Sequence, residues 1–303
     1  MNLLTRSDFD GLACAVLFRE IGLIGTWTFV HPKDLQDGLV KVTANDILAN
    51  VPYVKGCGMW FDHHTSEWKR LGRPEGFVGS LREVDSAARV VYDYFKDRHD
   101  LSRFDEMLDI VDRVDAGKLT AEELQNPTGW VLLGFVMDPR TGLGRFRDFR
   151  ISNYQLMESL IEYCRTMSIE EIMAHPDVRE RTDFYLSQSE KFVKMLLDHT
   201  TVHGDLIVTD LRGVDTIHVG NRFMVYSLFP KQSISMWIVD GRNKENCAIA
   251  VGYSILNRTA TTNVGELLLG YGGGGHKQVG TCQVPYADSE KVIRELTERL
   301  LKQ

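Results

Sequence analysis

A chain of 303 residues with 43% hydrophobic and 25% charged residues has the length for two domains and the balance of a globular protein with a real core. The net charge of −7 argues against duplex DNA as a partner but leaves room for a local basic pocket that takes a small phosphorylated ligand. The scattered Cys14, Cys57, Cys164, Cys247 and Cys282 argue against a disulfide scaffold or structural zinc, and the lack of a signal-peptide pattern or long apolar run predicts a cytoplasmic chain with no membrane span.

In chain order, Leu3-Leu4-Thr5 predicts a strand and residues 11–21 a helix, with Leu12, Val16 and Leu17 at helical spacing. Residues 26–30, 46–49 and 58–61 predict further strands. This alternation predicts βαβ units, a parallel sheet and a ligand at the carboxyl ends of its strands. Asp8, Asp10, Asn50 and Asp62 all fall there. Residues 85–200 read as mostly helical, with helices over 155–167 and 177–199. Beyond residue 201 the runs 206–209, 223–226, 233–239 and 247–255 predict strands. Residues 263–269 and 289–301 predict helices of a second, smaller α/β domain.

Three islands carry the chemistry. Asp8 and Asp10 in D-x-D-G suit a hard divalent ion, although either can also cap the helix that follows. Asp62-His63-His64 ends an apolar strand, and desolvating such groups is costly unless something binds them. Gly272 to Gly275 followed by His276 exposes backbone N–H groups for an anion, in a junction where something must approach closely. Lys277 reads as a surface charge. Trp27, Trp60, Trp68 and Tyr271 read as core first and as base-stacking surfaces second.

Together, the three islands resemble the DHH phosphoesterase superfamily with its C-terminal DHHA1 domain, over nearly the whole chain. The branch most similar is the exopolyphosphatase-like and nanoRNase-like one. The resemblance implies an α/β fold. A parallel-sheet DHH domain with a helical segment spans 1–185, a connector helix 186–200, and a smaller α/β DHHA1-like substrate-binding domain 201–303. It implies metal ligands at Asp8, Asp10 and His63, and at Asp115 with Asp112 as second choice; Asp62 is grouped with them. His64 is implied to act near the substrate phosphate or to support the groups around the metal. Arg258 is implied to contact phosphate, and Gly273, Gly274, Gly275 and His276 to form the substrate loop. Manganese is the expected ion, with magnesium as the alternative. The expected substrate is a short oligonucleotide, dinucleotide or polyphosphate held in an interdomain cleft, and a homodimer is compatible.

Two positions depart from that pattern. Arg6 stands where the family has a metal-binding His, and Asn50 where it has a bridging Asp. Asp46 fills that role only if its strand is shifted. A guanidinium about 4 Å from a dication is repelled by roughly 8 kcal/mol at an effective dielectric near 20. One metal is therefore expected, with Asn50 beside it and Arg6 acting catalytically in place of the lost cation. The alternative is a catalytically impaired phosphate-binding protein of the same fold.

Overall fold

Short apolar runs in the N-terminal third become strands lying side by side. The computed structural model describes residues 1–302 except 65, 66, 68, 69, 71 and 73–75, together with all described side chains but that of Arg242. Trp68 therefore lies outside the described residues. β1 (Asn2–Thr5), β2 (Thr26–Phe29), β3 (Asp46–Ala49), β4 (Met59–Asp62) and β5 (Gly79–Leu81) form one sheet in the order β2-β1-β3-β4-β5. Every pairing in it is parallel. β3 is buried along its whole length, as strands of parallel sheets are. The chain leaves β1 for β2 on one side and for β3 on the other, which makes a switch point between β1 and β3. Thr5 pairs with Ala49, and Ala49 with Phe61. Arg6, Asn50 and Asp62 therefore leave the sheet at one level.

The first helix, α1 (Phe9–Glu20), is buried from Phe9 through Phe18, so it is a central helix rather than an amphipathic one. It packs on the helices Ala87–Phe95, Asp105–Asp115 and Asn153–Thr166. Phe18 meets Phe61 of β4 at 5.3 Å between ring centroids. Burial of each such side chain contributes about 1.5–3 kcal/mol. Gly11 is required inside α1, because a Cβ there would lie 2.0 Å from the Arg6 carbonyl oxygen. Trp60 is core, with its indole N–H donating to the Val51 carbonyl at 3.0 Å.

Residues 1–118 with 127–186 form one unit, and 119–126 with 187–303 form another. Residues 177–199 are two helices, Pro176–Ser187 and Ser189–Asp198, rather than the single one expected. Gln188 interrupts them between two serines, and its side-chain carbonyl is engaged by His218 at 3.0 Å. The second unit's sheet runs β10-β11-β9-β8-β7-β6, built from β6 (Thr200–His203), β7 (Leu206–Asp210), β8 (Ile234–Asp240), β9 (Asn246–Tyr253), β10 (Gly274–Gly275) and β11 (Val279–Pro285). Only β7 and β8 pair in parallel. Of residues 223–226, expected as a strand, 224–226 belong instead to a helix, Met224–Leu228, and Phe223 is its N-cap. A four-residue apolar run does not distinguish a buried helix from a strand. Here Tyr226 decides, its buried hydroxyl bonded to Ser235 Oγ at 2.7 Å and donating to the Gly252 carbonyl at 3.2 Å. No helix among the described residues is long and apolar enough to cross a membrane.

Asp46 sits at the amino end of β3, the far edge from Asn50, so no shift of the strand brings it to the site. It accepts from Asn2 Nδ2 at 2.9 Å and from the backbone N–H and hydroxyl of Thr43, each at 2.7 Å. Burial opposes its charge, but these donors outweigh it and hold its pKa below the ordinary 3.8. A depressed folded pKa contributes stability that is present above 3.8 and lost as pH falls through the folded value. Asp46→Ala is expected to cost about 1–3 kcal/mol at neutral pH and less in acid. Urea unfolding at both pH values checks this, and an equal loss at both would contradict it.

Candidate functional site

Four chain segments converge at the carboxyl edge of the parallel sheet. Asp8 caps α1, accepting from the Gly11 N–H at 3.0 Å. The same carboxylate accepts from Asn50 Nδ2 at 3.0 Å and pairs with Arg6 Nε at 3.1 Å. Both of its oxygens are thus occupied by the protein's own donors. Asn50 reaches it from a left-handed backbone, φ 56°, a conformation that Asn tolerates better than most residues. Burial raises the Asp8 pKa, with Asp115 adding to it, while Arg6, the Gly11 N–H and Arg140 oppose the shift.

One turn further, Asp10 is 2% exposed. Its carboxylate accepts the N–H groups of Ala87 at 2.9 Å and Ala88 at 2.7 Å, the first amides of a helix capped by Ser86. The positive end of that helix supports its charge. Burial, then Asp115 and Asp8, nonetheless push its pKa well above the usual range.

His63 completes this cluster. Its Nδ1 lies 3.1 Å from the Val84 carbonyl, which only accepts, so Nδ1 carries a proton and Nε2 is the ring nitrogen turned to the carboxylates. Nε2 lies 3.4 Å from Asp115 Oδ2 and 3.8 Å from Asp10 Oδ2. It is buried and has no hydrogen-bond partner among the described residues. Ligand atoms of Asp10, His63 and Asp115 fall within 4.8 Å of one another. An imidazole nitrogen without a hydrogen-bond partner among the described residues, on a ring oriented by a carbonyl and with two carboxylates beside it, is a donor set that fits a divalent ion. Asp112 faces elsewhere, accepting from Ser86 Oγ at 2.5 Å and Arg89 Nε at 2.8 Å.

Asp62 and His64 form a second pair. Asp62 Oδ1 accepts the His63 N–H at 2.9 Å and meets His64 Nδ1 at 2.8 Å. Its Oδ2 is buried without a partner among the described residues. Burial would lower the His64 pKa, but the hydrogen bond and charge of Asp62, with Asp115 and Asp10 behind, raise it to about 9. Next to this pair lies a cavity of about 150 Å³, whose lining includes Arg6, Gln36, Asn50, Asp62 and His64.

The remaining sequence-selected residues lie in the second unit. Arg258 is exposed, its Nε donating to the Ile255 carbonyl at 3.2 Å, and His276 and Lys277 are exposed as well. Gly274 and Gly275 form β10 against β11. The close approach that this glycine run permits is made by the chain itself. A Cβ on Gly273 would lie 2.2 Å from the Thr281 carbonyl oxygen, and one on Gly275, at φ 152°, would lie 2.3 Å from that of Val279. Sequence reasoning missed the Val84 carbonyl and the Ala87 and Ala88 amides. The Ser86 cap is the only sequence signal that points toward any of them.

No family model matches the chain, and no curated protein does. Among solved structures, it is similar to the pGpG-specific phosphodiesterase PggH from Vibrio cholerae, at 42% identity over 99% of both chains with a TM-score of 0.85. An exopolyphosphatase-related protein from Bacteroides fragilis shares the fold at 13% identity, over 100% of this chain and 93% of its own, with a TM-score of 0.52. RecJ from Thermus thermophilus, solved with Mn²⁺, shares it at 12% identity over 100% of this chain and 52% of its own, at 0.53. The fold and the acidic, histidine-bearing edge define an α/β phosphoesterase architecture. The chain belongs to the DHH phosphoesterase superfamily.

The geometry separates two aspartates of one helix. Asp115→Ala is expected to weaken Mn²⁺ binding beyond the roughly 10–100-fold that loss of a supporting group costs. Asp112→Ala is expected to cost about 1–3 kcal/mol of stability instead. Calorimetric Mn²⁺ titration with thermal unfolding of both variants checks this, and the reverse pattern would contradict it.

Proposed function

We propose that this chain is a divalent-metal-dependent phosphodiesterase that cleaves short linear dinucleotides such as pGpG, with one ion per chain and Arg6 in place of a second. One observation carries the reading. The Asp8 carboxylate is saturated by Arg6, Asn50 and Gly11, whereas His63 Nε2 has no hydrogen-bond partner among the described residues and lies beside Asp10 and Asp115. The likeness to a pGpG-specific phosphodiesterase over the full chain supports the substrate class.

Asp10, His63 and Asp115 would hold the ion, manganese first and magnesium as the alternative. When bound, such an ion supplies Lewis-acid polarisation of the phosphoryl group and acidifies water. Asn50, neutral and donating to Asp8, would add no charge beside the ion. Arg6 is fixed through Nε on Asp8 and lines the cavity, where its guanidinium is suited to phosphoryl oxygens. His64, protonated at neutral pH and tethered through Nδ1, delivers a proton to the departing oxygen. In the second unit, Arg258, Gly273 to Gly275 and His276 are the proposed substrate-binding residues, and the proposed location is the cytoplasm.

The Mn²⁺-loaded chain is expected to contain one tightly bound ion by elemental analysis and to convert pGpG to mononucleotides. Arg6→Ala is expected to lower kcat/KM by about 10²–10³-fold. Two tight ions per chain would sink the one-ion reading. An inactive natural chain that gains turnover in the Arg6→His, Asn50→Asp variant would identify a phosphate-binding protein instead of an enzyme.

A further inference from the structure

Ser86 is a fully buried hydroxyl, 0% exposed, to which the chemistry above gives no role. It is the N-cap of the helix Ala87–Phe95, with extended backbone at φ −151° and ψ 158°. Asp112 lies 2.5 Å from its Oγ and 2.8 Å from Arg89 Nε, so the ion-paired carboxylate accepts and the serine hydroxyl donates. The Ser86 oxygen is then left to accept the Arg89 N–H, at 3.0 Å. A helix begins with amides that have no partner inside it. Here the third goes to Ser86, while the first two, of Ala87 and Ala88, go to Asp10 at 2.9 and 2.7 Å. One helical turn is thus shared between its own cap and an aspartate of α1. Each Asp10 oxygen takes one amide and keeps a further lone pair. Oδ2, the oxygen on Ala87, is also the one 3.8 Å from His63 Nε2. The direction of these two amides therefore sets how Asp10 is presented beside His63, and the turn that Ser86 closes sets the direction of the amides.

We propose that Ser86 is a positioning residue for the metal centre, whose hydroxyl locks the first turn of the Ala87–Phe95 helix so that the Ala87 and Ala88 amides hold Asp10 beside His63 and Asp115. The inference rests on the ion position proposed above. It adds that a buried residue in contact with neither ion nor substrate tunes the affinity there, as groups that orient a ligand do. Asp112 has a different part. It directs the Ser86 hydroxyl and pairs with Arg89, but a serine without it still caps the turn through the Arg89 N–H. Loss of Asp112 breaks a link between two helices, whereas loss of the hydroxyl loosens the amides on Asp10.

The test uses the full chain and its Ser86→Ala, Ser86→Gly and Asp112→Ala variants. Mn²⁺ affinity is measured by calorimetry, the unfolding midpoint on the metal-free chain, and pGpG turnover across a Mn²⁺ series. Ser86→Ala is expected to bind Mn²⁺ at least about tenfold more weakly, as when a group that supports a ligand is lost. Ser86→Gly, which lacks the hydroxyl but suits an N-cap, is expected to show the same loss. Asp112→Ala is expected to lower the midpoint at least as far as Ser86→Ala does, yet to bind Mn²⁺ within about twofold of the natural chain. Saturating Mn²⁺ is expected to restore the turnover of Ser86→Ala, because Ser86 does not reach the substrate. Mn²⁺ affinity within about twofold of the natural chain in both Ser86 variants overturns the inference. An equal loss in Asp112→Ala overturns it as well, since general loosening of the helices then explains the effect, and so does turnover that stays low at saturating Mn²⁺. A natural chain that binds Mn²⁺ without cleaving pGpG overturns the activity reading alone, and Ser86 is then judged on Mn²⁺ affinity. No Mn²⁺ binding by the natural chain overturns both.

Discussion

Asp8 and Asp10, both buried, and the exposed Asp115 crowd negative charge at one edge of the sheet, which calls for positive charge among them. Two like charges about 4 Å apart at an effective dielectric near 20 repel by roughly 4 kcal/mol, and burial adds to that. Burial, and then Asp115 and Asp8, push the Asp10 pKa upward. Each carboxylate has a different answer to this crowding. Asp8 is neutralised within the chain by Arg6, and Asn50 and the Gly11 amide complete its shell. Asp10 relies on the amino end of the Ala87–Phe95 helix. Asp115 faces His63 and the position where an ion fits.

That division makes sense of Arg6 and Asn50 as a pair. An aspartate at position 50 would place another carboxylate against Asp8, tolerable only with a cation between them. The Asn50 amide donates to Asp8 instead. Arg6 supplies the positive charge on the other oxygen. Changing either residue alone leaves a charge without its partner, so the two are expected to change together.

The parallel sheet sets the precision of this arrangement. The register of β1, β3 and β4 delivers Arg6, Asn50 and Asp62 at the same height. Gly11 lets α1 start so close to the strand that Asp8 and Asp10 both turn inward. In the second unit the glycines of 272–275 work differently. Gly273 and Gly275 are there because β11 leaves no room for a side chain, so anion binding is not needed to explain those two.

Much of the fold was legible in the chain. β1 to β4, α1 and the closing helix Ser289–Leu300 follow from apolar spacing and caps, which are local properties. The 223–226 run and the break at Gln188 were not, because a hydroxyl's distant partner and a side chain on another segment decide them. The sequence alone determined which groups gather at the site: the paired aspartates, the Asp-His-His triplet, and the odd Arg6 and Asn50. Only the tertiary structure decided what each of them does there. It turned Asp8 toward Arg6, set Asp115 rather than Asp112 beside Asp10 and His63, removed Asp46 to the far edge, and brought in the Val84 carbonyl. The reason is that hydrogen-bond partners and charge neighbours are set by distance in space, and chain order does not encode distance.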